Sequence, residues 1–170
     1  MVLKVVKYGD PVLETKADPI TDFDTPELHK LVADMFDTMY ASKGIGLAAP
    51  QVGERKQVTV IDISAGEETG ERIVLINPQI VERSGSQLGE EGCLSIPGFR
   101  EDVKRAMQVK VKAKNAKGED IEHTAEELLS RCLQHEIDHL HGVLFLSHLS
   151  PLKRDLIRRK VRKLQKAGEW

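Results

Sequence analysis

Near its end the chain carries His135-Glu136-Ile137-Asp138-His139, an H-E-x-x-H pattern inside a stretch of helical periodicity. A helix places side chains four residues apart on one face, one turn apart. Two neutral imidazoles set that way can grip one transition-metal ion. The glutamate between them lies close enough to handle the proton of a coordinated water. The pattern suits hydrolysis, and it needs a third ligand from elsewhere in the chain.

Downstream positions supply that ligand poorly. The longer H-E-x-x-H-x-x-G-x-x-H pattern is followed through Gly142 and then broken, because Phe145 stands at the place of the last histidine. Beyond His139 the only acidic side chains are Asp155 and Glu169. Upstream, Cys93 sits in Glu90-Glu91-Gly92-Cys93-Leu94-Ser95-Ile96-Pro97-Gly98. A thiolate and two imidazoles make a three-ligand site with one position left for water. The bland alternatives are a Cys93 that is a small buried hydrophobe and two histidines on a polar helix face. Cys132, three residues before His135 in an apolar stretch, reads as core, and a Cys93–Cys132 disulfide is disfavoured in a reducing compartment.

Spacing also predicts the framework. A helix is expected from about Thr25 to Ser42, capped by Asp24 or Thr25 with Pro26 in its first turn and stopped by Gly44. Leu28, Leu31, Val32, Met35, Phe36 and Met39 fall on its inner face. Residues Gln57 to Ile63 and Arg72 to Ile76 read as strands. Met107 to Ala113 alternates, with Val109, Val111 and Ala113 inward, as in an antiparallel sheet with one wet face. The turn Asn115-Ala116-Lys117-Gly118 leads to a return strand near Glu119 to His123. The motif helix is expected to start at Thr124, with Glu127 completing a capping box, and to end near Gly142. Leu128, Cys132 and Ile137 are assigned to its buried side. A last helix starts at Ser150-Pro151, with Leu152, Leu156, Ile157, Val161 and Leu164 as its packing face. The fold class that follows is α+β. Antiparallel sheets surround a central H-E-x-x-H helix, with an N-terminal helix and a C-terminal helix.

The chain of 170 residues, 40% apolar and 31% charged, suits one domain over residues 1–170. Met1 to Lys7 has no signal-peptide character and no stretch is long enough to span a membrane. With only two cysteines, this points to the cytoplasm. Residues 151–166 carry eight Lys or Arg against one acid on a chain of net charge −2, so a basic helix (150–167) sits on an acidic body. Such a helix can be steered toward nucleic acid.

Three segments together resemble the peptide deformylase family: Gly44-Ile45-Gly46-Leu47-Ala48-Ala49-Pro50-Gln51, Glu91-Gly92-Cys93-Leu94-Ser95 and Gln134-His135-Glu136-Ile137-Asp138-His139. The first also matches G-x-G-x-x-A, but a dinucleotide fingerprint needs a strand before it and a helix after it. Here a helix precedes it and Pro50 follows. The resemblance implies a metal-dependent hydrolase that removes the formyl group from the N-terminal formylmethionine of new proteins and releases formate. It implies Cys93, His135 and His139 as metal ligands and Glu136 as the general acid and base. It also implies the Gln51 side-chain amide and the Leu94 N–H as donors to the formyl oxygen. The Ile45 and Gly46 backbone is expected to pair with the peptide like an added strand, with Ile45, Leu128 and Cys132 around the Met side chain and Arg100 near the peptide. The family works best with Fe²⁺, for which Zn²⁺, Ni²⁺ or Co²⁺ can substitute at such a site. In similar bacterial enzymes the basic C-terminal helix docks on the ribosome, near the formyl-Met nascent peptides that are the substrate. The competing readings are an H-E-x-x-H peptidase with an unusual third ligand, and an RNA-binding protein with a structural metal.

Overall fold

In the computed structural model, which describes residues 1–170, helix α1 spans Pro26–Ala41. The Thr25 hydroxyl accepts from the Leu28 N–H at 3.1 Å, and Pro26 fills the first turn, where no amide donor is required. Leu28, Leu31, Met35, Phe36 and Met39 are buried, with Val32 half-buried beside them. The stop differs from expectation, because Lys43 rather than Gly44 takes the left-handed conformation, with φ of 56°. Gly44 instead packs under Leu94: a Cβ there would lie 2.9 Å from Leu94 Cδ1, so that side chain would have to shift.

Seven strands follow: β1 (Gly46–Ala48), β2 (Val58–Ile61), β3 (Ile73–Ser84), β4 (Gln87–Cys93), β5 (Ile96–Arg105), β6 (Gln108–Lys114) and β7 (Asp120–Glu126). Five form an antiparallel sheet in the order β1-β2-β3-β6-β7, and β4-β5 is a separate hairpin. Strand β3 runs well past Ile76, where the expected strand ended. Asn77 and Pro78 read as a break, but the ladder slips between Ile76 and Gln79 and then resumes against β6. Asn77 makes the corner with φ of 51°, so the bulge absorbs the missing proline donor. The hairpin was not expected at all, since its glycines and Pro97 disguise it.

Helix α2 spans Glu127–Leu140, so it starts three residues later than expected and without the capping box. Pairing with β6 holds Thr124 in strand opposite Lys110 and continues to Glu126. The chain then turns at Glu127, whose φ is 53°. Cys132, Leu133 and Ile137 pack on Ile61, Leu75, Val109 and Val111 of the large sheet. On another side, Arg131 Nη1 donates to the Val103 carbonyl of β5 at 2.8 Å. The helix is therefore held between sheet and hairpin. Leu128 is not on its buried side; it is 48% exposed.

Helix α3 (Pro151–Lys166) is capped by Ser150, whose hydroxyl accepts from the Lys153 N–H at 3.3 Å. Ile157 and Val161 are buried against Leu13, Phe145 and Leu146. Contrary to expectation, Leu152 and Leu156 are 71% and 46% exposed. A helix advances about 100° per residue, so a contact stripe set by Ile157 and Val161 turns Leu152 and Leu156 away from the body. No helix is long and apolar enough to cross a membrane.

Gly142 ends the α2 turn with φ of +76°, and a Cβ there would lie 2.8 Å from the Glu14 carbonyl carbon and 3.0 Å from the Thr15 nitrogen. Left-handed strain and backbone overlap act together at this position. Gly142→Ala is expected to lower stability by roughly 2–4 kcal/mol, read as a fall in the urea or thermal midpoint. An unchanged midpoint would contradict this packing.

Candidate metal centre

The hairpin and α2 bring three donors to one point. Cys93 Sγ, His135 Nε2 and His139 Nε2 come from residues whose ligand atoms all lie within 4.8 Å of one another. The two Nε2 atoms are 3.2 Å apart, and Cys93 Sγ is 3.4 Å from His139 Nε2. Bonds of about 2.0–2.1 Å to nitrogen and about 2.3 Å to sulfur give tetrahedral edges of roughly 3.3–3.6 Å. The donor set therefore has the size and chemistry of a metal site. Both cysteines are free thiols rather than a disulfide.

The His135 ring is aimed by its surroundings, whereas His139 Nδ1 is buried with no hydrogen-bond partner. His135 Nδ1 meets Glu91 Oε1 at 2.8 Å, which puts the proton on Nδ1 and leaves Nε2 as the donor atom. Glu91 is buried and clasped on both oxygens. Arg105 donates to it from Nε and Nη2, each at 2.9 Å, and Arg131 donates from Nη1 at 2.5 Å. Arg105 also donates to Asp138 at 2.6 Å, and Asp138 meets His148 at 2.9 Å. Burial pushes the Glu91 carboxyl pKa up, but the Arg105 and His135 hydrogen bonds outweigh it and hold the carboxyl well below the usual carboxylate range. Burial likewise disfavours charge on His135, yet Cys93 and Glu91 bring it up to about 10. An ion held at Nε2 takes the place of a proton on that atom, while the Nδ1 proton stays on the Glu91 side. Burial, then the charge on His135, lowers the His139 pKa well below its ordinary value.

Glu136 stands beside the donors. Its Oε2 is buried with no hydrogen-bond partner. Burial pushes its pKa up to about 7. Gly46 makes this proximity possible, because a Cβ there would lie 2.8 Å from Glu136 Oε1 and 3.0 Å from Cys132 Sγ. Gln51 is oriented through both ends of its amide. Its Oε1 accepts from the Ala48 N–H at 3.0 Å, and its Nε2 donates toward Cys93 Sγ at 3.4 Å and to the Ser95 hydroxyl at 3.2 Å. The Leu94 N–H, at the hairpin tip, donates to no acceptor of the chain.

A pocket of about 580 Å³ opens over these groups. Ile45, Gly46, Gln51, Leu94, Leu128 and Cys132 line it, with Arg100 at its wall. Arg100 is also ion-paired with Glu90. Strand β1 is an edge of the large sheet. Ala48 turns its N–H away from β2, toward Gln51. Gly46, two residues earlier, therefore presents its backbone groups to the free edge. The expected site residues thus all lie in or directly beneath this one pocket. Spacing alone gives no role to Glu91, Arg105, Arg131, Asp138 or Ser95. Two of them carry a local signal: Glu91 lies two residues before Cys93 in a strand, and Arg131 one turn before His135.

Comparison with known proteins places the chain in a family. A family model described as polypeptide deformylase matches residues 2–155. A peptide deformylase of Acidobacterium capsulatum is 58% identical over the whole of this chain and 99% of its own length. One from Thermodesulfovibrio yellowstonii is 50% identical over 94% of this chain and 96% of its own. A crystal structure of a peptide deformylase from Legionella pneumophila superposes with a TM-score of 0.91 at 46% identity, covering 99% of this chain and 98% of that one. With this match in sequence and fold, the chain belongs to the polypeptide deformylase family, whose known function is metal-dependent removal of N-terminal formyl groups.

Proposed function

We propose that residues 1–170 form one catalytic domain in which Cys93, His135 and His139 hold a single ferrous ion and Glu136 transfers protons during deformylation of formyl-Met peptides. The observation that carries this reading is the convergence of three ligand atoms beside a buried, unpartnered carboxylate oxygen in the floor of the pocket. The sulfur and imidazole donors suit iron, and also accept zinc, nickel or cobalt. When bound, the ion supplies Lewis acidity that makes water a nucleophile near neutral pH.

The chain's own residues do the rest. Gly46 offers its backbone to the substrate as an edge strand would, so the peptide lies along β1. Ile45, Leu128 and Cys132 receive the Met side chain, and the exposed half of Leu128 is then covered by substrate. Arg100, steadied by Glu90, contacts the peptide beyond it. Glu136 takes the proton of the attacking water and later gives it to the departing amine. Gln51 Nε2 and the Leu94 N–H donate to the formyl oxygen as negative charge grows there. Gly46, where a Cβ would lie 2.8 Å from Glu136 Oε1, lets the peptide backbone approach closely, and a tight space at the metal then admits a formyl hydrogen and excludes a methyl group.

The substrate is made at the ribosome, so the enzyme works in the cytoplasm. Lys153, Arg159, Lys160, Arg162, Lys163 and Lys166 are exposed along α3, a cationic surface suited to ribosomal RNA phosphates.

Three outcomes test this function. Anaerobically prepared protein should release formate from a formyl-Met peptide and little acetate from the acetyl counterpart; equal rates on both would contradict the reading. Glu136→Ala should keep its metal and lose roughly 10²–10⁴-fold in turnover, whereas Cys93→Ala should lose metal on dialysis. Full turnover of either variant would refute its assigned role. Reversing Arg159, Lys160 and Lys163 to Glu should abolish salt-sensitive ribosome binding without changing hydrolysis of a short peptide. Undiminished binding would dispose of the docking role.

A further inference from the structure

A run of hydrogen bonds leads from α3 and the residues after it to the groups assigned to the formyl oxygen. The Trp170 indole N–H donates to the Tyr8 carbonyl at 2.8 Å, and Arg158 Nε donates to the Tyr8 hydroxyl at 3.2 Å. The Tyr8 N–H donates to the Ser95 carbonyl at 2.8 Å, and the Val6 N–H donates to the Gln51 carbonyl at 2.7 Å. Ser95 is fully buried, follows Leu94 directly, and accepts from Gln51 Nε2 through its hydroxyl. Residues 6–8 therefore lie across the backs of both donor-bearing turns. Tyr8 is gripped from outside by Arg158 and Trp170, while the Trp170 ring leans on the pocket-lining Phe99 with 6.2 Å between centroids.

Residues 6 and 7 belong to no helix or strand, so few bonds fix their place. Donors aimed at developing charge act strongly only when they are held in advance, and small displacements of such groups cost rate steeply. We propose that Tyr8, clasped by Trp170 and Arg158, is a positioning residue that fixes the Ser95 turn and with it the aim of Gln51 Nε2 and the Leu94 N–H. This rests on the assignment of Gln51 and Leu94 as donors to the formyl oxygen. Because that oxygen becomes anionic only in the transition state, loosening the clasp acts on kcat more than on KM.

The test uses the full chain, with rates expressed per bound metal. Trp170→Phe keeps a ring against Phe99 and removes the N–H donor; Trp170→Ala removes both. Trp170→Ala is expected to lower kcat on a formyl-Met peptide about three- to tenfold with KM within about twofold, and Trp170→Phe to show part of that loss. Introduced into Gln51→Ala, Trp170→Ala should cause a smaller loss than in the wild type. In the zinc-loaded protein, ¹⁵N spectra of Trp170→Phe should show shifted signals for the Gln51 side-chain amide and the Leu94 and Ser95 N–H groups. Unchanged kcat in Trp170→Ala, equal losses in both backgrounds, or unmoved signals would overturn the proposal. Full turnover of Gln51→Ala would instead overturn the assignment beneath it.

Discussion

The buried carboxylate of Glu91 ties together the two parts of the molecule that share the candidate metal centre. It sits in β4, two residues before Cys93, and meets His135 and Arg131 of α2 and Arg105 of β5. A buried ion cluster adds little net stability compared with apolar packing, but removing one member strands the others and is costly. Its main contribution here is register. The hairpin can approach α2 in only one position without leaving a guanidinium or carboxylate unpaired. That position brings the Cys93 sulfur to the two imidazoles. The same contact selects the His135 tautomer, so one carboxylate sets both where the donors lie and which atom of the ring is offered.

Crowding at the centre of the pocket follows from the same arrangement. Helix α2 delivers two donors and the Glu136 carboxylate from three residues of one turn. Strand β1 passes so close that only glycine fits at position 46. Cys132, one turn before Glu136, adds to this crowding, and burial raises its thiol pKa well above the ordinary value. It therefore stays a neutral wall of the pocket while Cys93, on the hairpin, faces the imidazoles. The two cysteines, indistinguishable by composition, take different roles from their surroundings.

Features governed by local spacing were legible in the sequence. The α1 cap, its apolar stripe and the pairing of two histidines one turn apart all depend on neighbours within a few residues. Distant strands override local preference elsewhere. Thr124 and Glu127 spell a capping box, but pairing with β6 keeps Thr124 in strand. Pro78 reads as a strand end, yet a bulge carries β3 beyond it. The β4-β5 hairpin is concealed by glycines that make room for arginines: a Cβ at Gly89 would meet Arg131 and one at Gly92 would meet Arg100. Leu128, Leu152 and Leu156 fit apolar helix faces by spacing, but nothing local says which part of a face meets the body. The Arg105 partnership was not readable either, since its partners lie 14 and 33 positions away in sequence.

X-ray absorption at the metal edge of the iron- or zinc-loaded protein reads the ligand set itself. The Cys93, His135 and His139 set should give one sulfur scatterer at about 2.3 Å and two imidazole nitrogens at about 2.0–2.1 Å, with the sulfur signal absent in Cys93→Asp. A first shell of nitrogen and oxygen alone in the unaltered protein would contradict it.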